Sequence, residues 1–230
     1  MLLSFFRKYQ ALLAFSALST GMLLFRIFYL VESSCDPWDF YACPKLRFIF
    51  LIWNTFLAWI PIVLMELIEN DDGKLRAWSL FALATLFFPN APYLITDLIH
   101  LRVQLDIPLW FDALLLFSFA YLGTVLALRA LRLMHTFLSS RYPSRHTHAT
   151  MGVILFLSGI GIYLGRVLRW NSWDAFVQPY GLVMDAFALI RYPFQHMEAW
   201  LMIVLFSALL ACAYWVWQQE LRTEQKSPGS

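Results

Sequence analysis

Residues 109–128 read LWFDALLLFSFAYLGTVLAL, twenty positions carrying one charge, Asp112. Roughly 20 mainly apolar residues are what a helix needs to cross the ~30 Å hydrocarbon core of a bilayer. The stretch therefore reads as a membrane span, and five others meet the same test: Tyr9 to Val31, Phe48 to Met65, Ala77 to Ile95, Ala149 to Leu168 and Met197 to Trp217. The rest of the composition agrees. The 230-residue, 26.9 kDa chain is 60% hydrophobic and 14% charged, with a mean hydropathy of +0.62. Soluble domains are about 25% charged. The expected fold is all-α, a polytopic bundle of six transmembrane helices.

Arg7 and Lys8 precede the first span as they would a signal peptide, but the apolar run is too long and lacks a small-residue cleavage site, so it reads as a retained span. Tyr180 to Ile190 is too short to cross and carries Asp185 at its centre, which predicts an interfacial or re-entrant helix between spans five and six. Residues 1–219 form one expected domain, and 220–230 a polar, disordered cytoplasmic tail. The Gly161/Gly165 pair in the fifth span is a small-xxx-small face that suits close packing within the bundle, with homodimerisation as the other use.

Six spans place both termini on one side, and the Lys/Arg distribution selects it. With the N-terminus inside, the cytoplasmic segments hold ten: Arg7, Lys8, Lys74, Arg76, Arg129, Arg132, Arg141, Arg145, Arg222 and Lys226. The outer segments hold six: Lys45, Arg47, Arg102, Arg166, Arg169 and Arg191. Both ends are therefore expected in the cytoplasm. Trp78, Trp110, Trp170, Trp173, Trp200, Trp215 and Trp217 fall at predicted span ends, where an indole prefers the headgroup layer. A net charge of +2 implies no nucleic-acid partner, and the bilayer is the first partner expected.

Polar chemistry gathers in two strings. The third span ends Phe88-Pro89-Asn90-Ala91-Pro92-Tyr93-Leu94-Ile95-Thr96-Asp97-Leu98-Ile99-His100. Pro89 cannot donate to the Thr85 carbonyl, nor Pro92 to that of Phe88, so the third helix is expected to break at Pro89/Pro92 and to line protein or water there. At 100° per residue Asn90, Tyr93, Asp97 and His100 share a face about 80° wide. The second string, Gly165-Arg166-Val167-Leu168-Arg169-Trp170-Asn171-Ser172-Trp173-Asp174, follows the fifth span. Arg166 and Arg169 offer two guanidinium forks for a phosphate or carboxylate. The structural alternative is that both arginines snorkel to headgroups while Asn171 caps a short interfacial helix with Asp174 at its third position.

These two strings resemble the uncharacterised bacterial multi-pass family called domain of unknown function 1361, over most of the chain from the second span onward. The resemblance implies a bacterial plasma-membrane location and brings no established activity, so it names no catalytic residue.

Other constellations are weaker. Asp97 and His100 with His196 and Glu198 offer oxygen and imidazole ligands for a metal, at a spacing that equally suits hydrogen-bonded pairs at helix ends. Cys35 and Cys43 flank a short outer loop and form a disulfide candidate in an oxidising space. The Arg141 to His148 loop, with His146 and His148, is basic and faces anionic lipid. Arg26, Asn54, Asp112 and Tyr121 lie within spans and need partners, Asp112 doubling as a helix start after Pro108. No nucleophile elbow, P-loop, zincin or dinucleotide motif occurs, and no cofactor is implied.

Three functions follow as expectations. In the first, an outward-facing pocket of Asn90, Tyr93, Asp97, Arg166, Arg169, Asn171 and Asp174 binds an anionic lipid or polar small molecule, with Asp97 pairing an arginine. Asp97 and His100 are its only catalytic candidates. The second is an accessory subunit that docks a membrane-protein partner, and the third a small transporter.

Overall fold

The computed structural model describes residues 2–30, 46–68, 74–103 and 107–226, with only the backbone at 2, 30 and 220–226. Six helical segments are long and apolar enough to cross a membrane. Helix α1 (Leu2–Phe25) bends at Tyr9, where φ is −114° and ψ 15°, and widens into a π turn over Arg26–Leu30. Helix α2 (Phe50–Ile68) tolerates Pro61 in its interior.

The third span breaks as its prolines require, with one refinement. Helix α3 (Lys74–Phe87) stops before Phe88–Pro89, and the chain restarts as α4 (Asn90–Thr96) and tightens into a 3₁₀ turn over Asp97–His100. The interruption sits at Pro89 alone. Pro92 falls in the first turn of α4, where a backbone N–H has no helical acceptor in any case, so it costs no bond.

Helix α5 (Leu109–Ser139) runs eleven residues past the expected end at Leu128, roughly 16 Å of further rise. Arg129 and Arg132 lie on that extension. Helix α6 spans Ser144–Arg166. Two short helices follow, α7 (Asp174–Val177) and α8 (Pro179–Arg191), the second at the predicted non-crossing segment. A 3₁₀ turn over Pro193–His196 leads into α9 (Met197–Lys226), so Glu220 to Lys226 of the polar tail, expected to be disordered, are helical.

Two compact units are distinguishable in the chain. The first comprises Met1–Trp59 and Asn90–Leu126, the second Ile60–Pro89 and Ala127–Ser230. In the first, Leu23, Leu51, Leu94, Leu115, Leu116, Phe119 and Leu122 are fully buried. Gly123 of α5 lies so close to α4 that a Cβ there would come within 2.4 Å of the Ala91 carbonyl oxygen. Lipid is as apolar as leucine and gives helices little hydrophobic reason to associate, so such close approach supplies the packing.

In the second unit α6 packs along α9 around Tyr163, Leu164, Leu189, Ala199 and Ile203. Two glycines of α6, Gly159 and Gly161, are used inside the chain. A Cβ on Gly159 would strike Ser207 and Ile203, and one on Gly161 the Pro89 ring at 2.7 Å. The Gly161 face is thus filled by this chain's own proline, which favours bundle packing over homodimerisation. Near the start of α3, the Trp78, Phe81 and Phe137 rings pack together, Phe81 and Phe137 stacked at 4.9 Å.

Candidate functional site

The polar residues of the first unit gather where α2 begins. The chain enters this helix through tight turns, with Ile49 N–H bonded to the Leu46 carbonyl and Leu51 N–H to that of Phe48. Arg47, Phe50 and Asn54, spaced i, i+3 and i+7, therefore fall on one side. That side meets the 3₁₀ turn. Asn54 donates from Nδ2 to Asp97 Oδ2 at 3.2 Å, the Phe50 ring meets the His100 imidazole edge-on at 5.1 Å, and Arg47 Nη2 donates to the His100 carbonyl at 3.4 Å.

The turn itself follows from local sequence. Thr96 donates its hydroxyl to the Tyr93 carbonyl at 2.6 Å, and Leu101 N–H closes on the Leu98 carbonyl at 3.1 Å. The tightening changes the phase of the last four residues. Asp97 becomes fully buried, whereas Asn90, Tyr93 and His100 stay half-buried, and all four are engaged.

A second charge centre lies in the same unit. Arg26, in the π turn, is fully buried and forms a two-pronged pair with Asp112: Nε to Oδ1 at 2.8 Å and Nη2 to Oδ2 at 3.3 Å. Asp112 stands in the first turn of α5, where the helix dipole favours a carboxylate, so both the helix-start role and the need for a partner are met. The Arg26 guanidinium lies 4.5 Å from the Phe48 ring centre and that of Arg47 5.6 Å from the same ring. Burial, reinforced by the positive charges of Arg102 and Arg26 and opposed by Asp112, lowers the Arg47 guanidinium below its ordinary value.

The second string lies in the second unit and is built as a closed loop. Arg166 ends α6, where a cation suits the helix C-terminus, and it is engaged. Arg169 adopts a left-handed φ of 63°, turning the chain so that Trp170 N–H returns to the Leu164 carbonyl at 3.0 Å. The Trp170 indole donates to Asp185 Oδ2 at 2.8 Å and lies over Gly181, where a Cβ would touch it at 2.9 Å.

Asn171 and Asp174 pair through the carboxylate half of the expected capping box, with Asp174 at the first helical position instead of the third. Trp173 occupies the cap position of α7, and the Asp174 carboxylate reaches back to accept from Asn171 N–H at 2.7 Å and Nδ2 at 3.3 Å. A carboxylate at the first helical position can satisfy a preceding N–H, which leaves Asn171 as donor.

Asn90, Tyr93, Asp97 and His100 thus belong to the first unit and Arg166, Arg169, Asn171 and Asp174 to the second. His196 ends the 3₁₀ turn before α9 and Glu198 stands in that helix's first turn. Among the described residues no three His, Cys, Asp or Glu side chains gather around one point, which leaves the Asp97, His100, His196 and Glu198 metal reading without a ligand set. Cys35 and Cys43 lie outside the described residues.

The residues that sequence reasoning passed over are Arg47, as partner of the 3₁₀ turn, and Phe50. The heptad spacing of Arg47, Phe50 and Asn54 was the signal that could have found them. No curated protein and no solved structure matches the chain. A family model described as a protein of unknown function, DUF1361, matches residues 53–213, which take in Asn54, Asp97, His100 and the Arg166–Asp174 loop, and the chain belongs to that family.

Proposed function

We propose that this six-span protein binds a polar, headgroup-like ligand on a platform formed by the start of α2 and the 3₁₀ turn Asp97–His100. The observation that carries the reading is Asp97, a fully buried carboxylate beside the half-buried Asn54 amide at the end of a membrane span. Stripping a carboxylate of water is costly, and intramembrane ionisable groups mark functional positions by default. Asn54, Tyr93 and His100 lie in the same unit and keep part of their surface exposed, which leaves room for a polar ligand beside the buried carboxylate. Binding is the activity proposed. A reaction would draw on Asp97 and His100, and the burial of Asp97 suits it to orienting Asn54 better than to receiving a substrate proton.

The setting proposed is a bacterial plasma membrane with both termini cytoplasmic and the platform outward, on the strength of the family resemblance and the Lys/Arg distribution. A second reading, an accessory subunit whose polar groups only hold the fold, is favoured by the internal pairing of Arg26 with Asp112 and of Asn171 with Asp174.

Native mass spectrometry of gently extracted full-length protein separates the two. A co-purifying polar lipid or small molecule is expected on the wild type and lost in Asn54→Leu. A wild type that carries nothing, or a folded variant that keeps the ligand, overturns the binding role in favour of the accessory one.

A further inference from the structure

The described charges of the first unit differ in how they are met. Asp112 is occupied by both prongs of Arg26, and Asp97 accepts from Asn54. Arg47 reaches a backbone carbonyl and an aromatic ring, neither of which neutralises it. Among the described residues neither Arg47 nor Arg102 forms an ion pair. The two are brought to one place by the chain itself, because the carbonyl that Arg47 holds belongs to His100, two residues before Arg102. Arg102 is exposed and Arg47 half-buried. Burial is the main cause that lowers the Arg47 guanidinium, and the like charge of Arg102 adds to it, as expected of two cations set near one another.

We infer that Arg47 and Arg102 form an anion site for a phosphate monoester group, with His100 beside it. This rests on the binding role proposed above and names the ligand class. The choice of phosphate follows from charge and shape. Arg26 and Asp112 cancel and the buried Asp97 carboxylate is turned to Asn54, so the two guanidiniums nearer the surface suit a phosphate monoester, which carries about −1.5 to −2 charges at neutral pH. Its three terminal oxygens can accept from two planar forks at once, whereas a carboxylate presents a single edge. A lysine at either position keeps the charge and loses the fork, so the site predicts sensitivity to a change that net charge does not register.

The ligand chemistry has two sources, a lipid headgroup such as that of phosphatidate and a free phosphate. Full-length protein in phosphatidylcholine nanodiscs is titrated calorimetrically with dihexanoyl phosphatidate, inorganic phosphate and dihexanoyl phosphatidylglycerol, whose phosphodiester bears one charge. Phosphatidate is expected to bind at least tenfold more tightly than phosphatidylglycerol, and Arg47→Lys and Arg102→Lys each to lose about tenfold, with Arg191→Lys unchanged. Tighter binding of phosphatidate than of inorganic phosphate assigns the site to lipid, and the reverse to a soluble phosphate; either supports it. Arg102 is exposed, so its variant is expected to fold even where the Arg47 variant does not. Equal affinity for the two lipids, or wild-type affinity in folded Arg102→Lys, overturns the phosphate site and leaves the polar-ligand role standing. Failure of every probe to bind overturns the phosphate site, and the polar-ligand role is then decided by the native mass spectrum of the wild type and Asn54→Leu.

Discussion

Two segments of this protein use the same residue types at helix ends and do different work with them. In the first unit Arg26 and Asp112 meet as a fully buried, two-pronged pair between α1 and the start of α5. In the Arg166–Asp174 loop of the second unit, Asn171 and Asp174 satisfy one another across three residues and Arg169 is exposed. The difference is one of burial and range. A short-range pair at the surface closes a turn and adds little stability, whereas a long-range buried pair holds two elements together and leaves an uncompensated charge if either partner goes. Proximity of arginine and aspartate in a sequence therefore says little about which pair matters.

The long-range pair is most exposed to substitution at Arg26. Arg26→Met alone is expected to cost about 3–5 kcal/mol, because Asp112 stays buried without its cation. The double change Arg26→Met with Asp112→Leu should recover most of that loss. Thermal unfolding in detergent checks both, and a single variant as stable as the wild type would sink the account of the pair.

The next largest effect concerns packing. Gly123→Ala drives a methyl against the Ala91 carbonyl and should cost about 1–3 kcal/mol. Gly152→Ala in α6, where a Cβ meets nothing within 4 Å, should be neutral or gain up to about 1 kcal/mol from helix propensity. Similar losses at the two sites in the same unfolding assay would show that close approach is not what distinguishes them.

Trp170→Phe removes the indole donor from Asp185 and is expected to cost about 1–2 kcal/mol. Limited proteolysis of the loop should speed up accordingly, and an unchanged cleavage rate would argue that the α6–α8 connection does not depend on this bond.

The smallest effect is expected at Arg169. Arg169→Gly relieves a left-handed backbone and should gain up to about 1 kcal/mol while leaving ligand retention intact. Loss of the co-purifying ligand in that variant would return the second string to the binding site.

How much was legible varies with the range of the interaction. The six spans were readable because mean apolarity over some twenty residues is a local property, and the break at Pro89 because a missing N–H is local too. The length of α5 was not, because Arg129 and Arg132 end the apolar run without ending the helix. Arginine is a good helix former and does not stop the backbone when lipid gives way to water. Of the candidate site, Asp97 and His100 were legible as polar residues at a span end. Arg47 was legible only through its heptad spacing to Asn54, and its contact with the 3₁₀ turn appears once α2 and that turn are seen together.

By itself the sequence determined the class of this protein and its segmentation, the six apolar helices, the interrupted third span and the short helices before the last one. Each depends on residues within a few turns of one another. Only the tertiary structure decided the partners: Asp112 with Arg26, 86 positions away, and Asp97 with Asn54, 43 positions away. A buried charge must be paired, which the sequence states as a requirement. Which of several candidates meets it depends on how the helices pack, and no local pattern of residues encodes that choice.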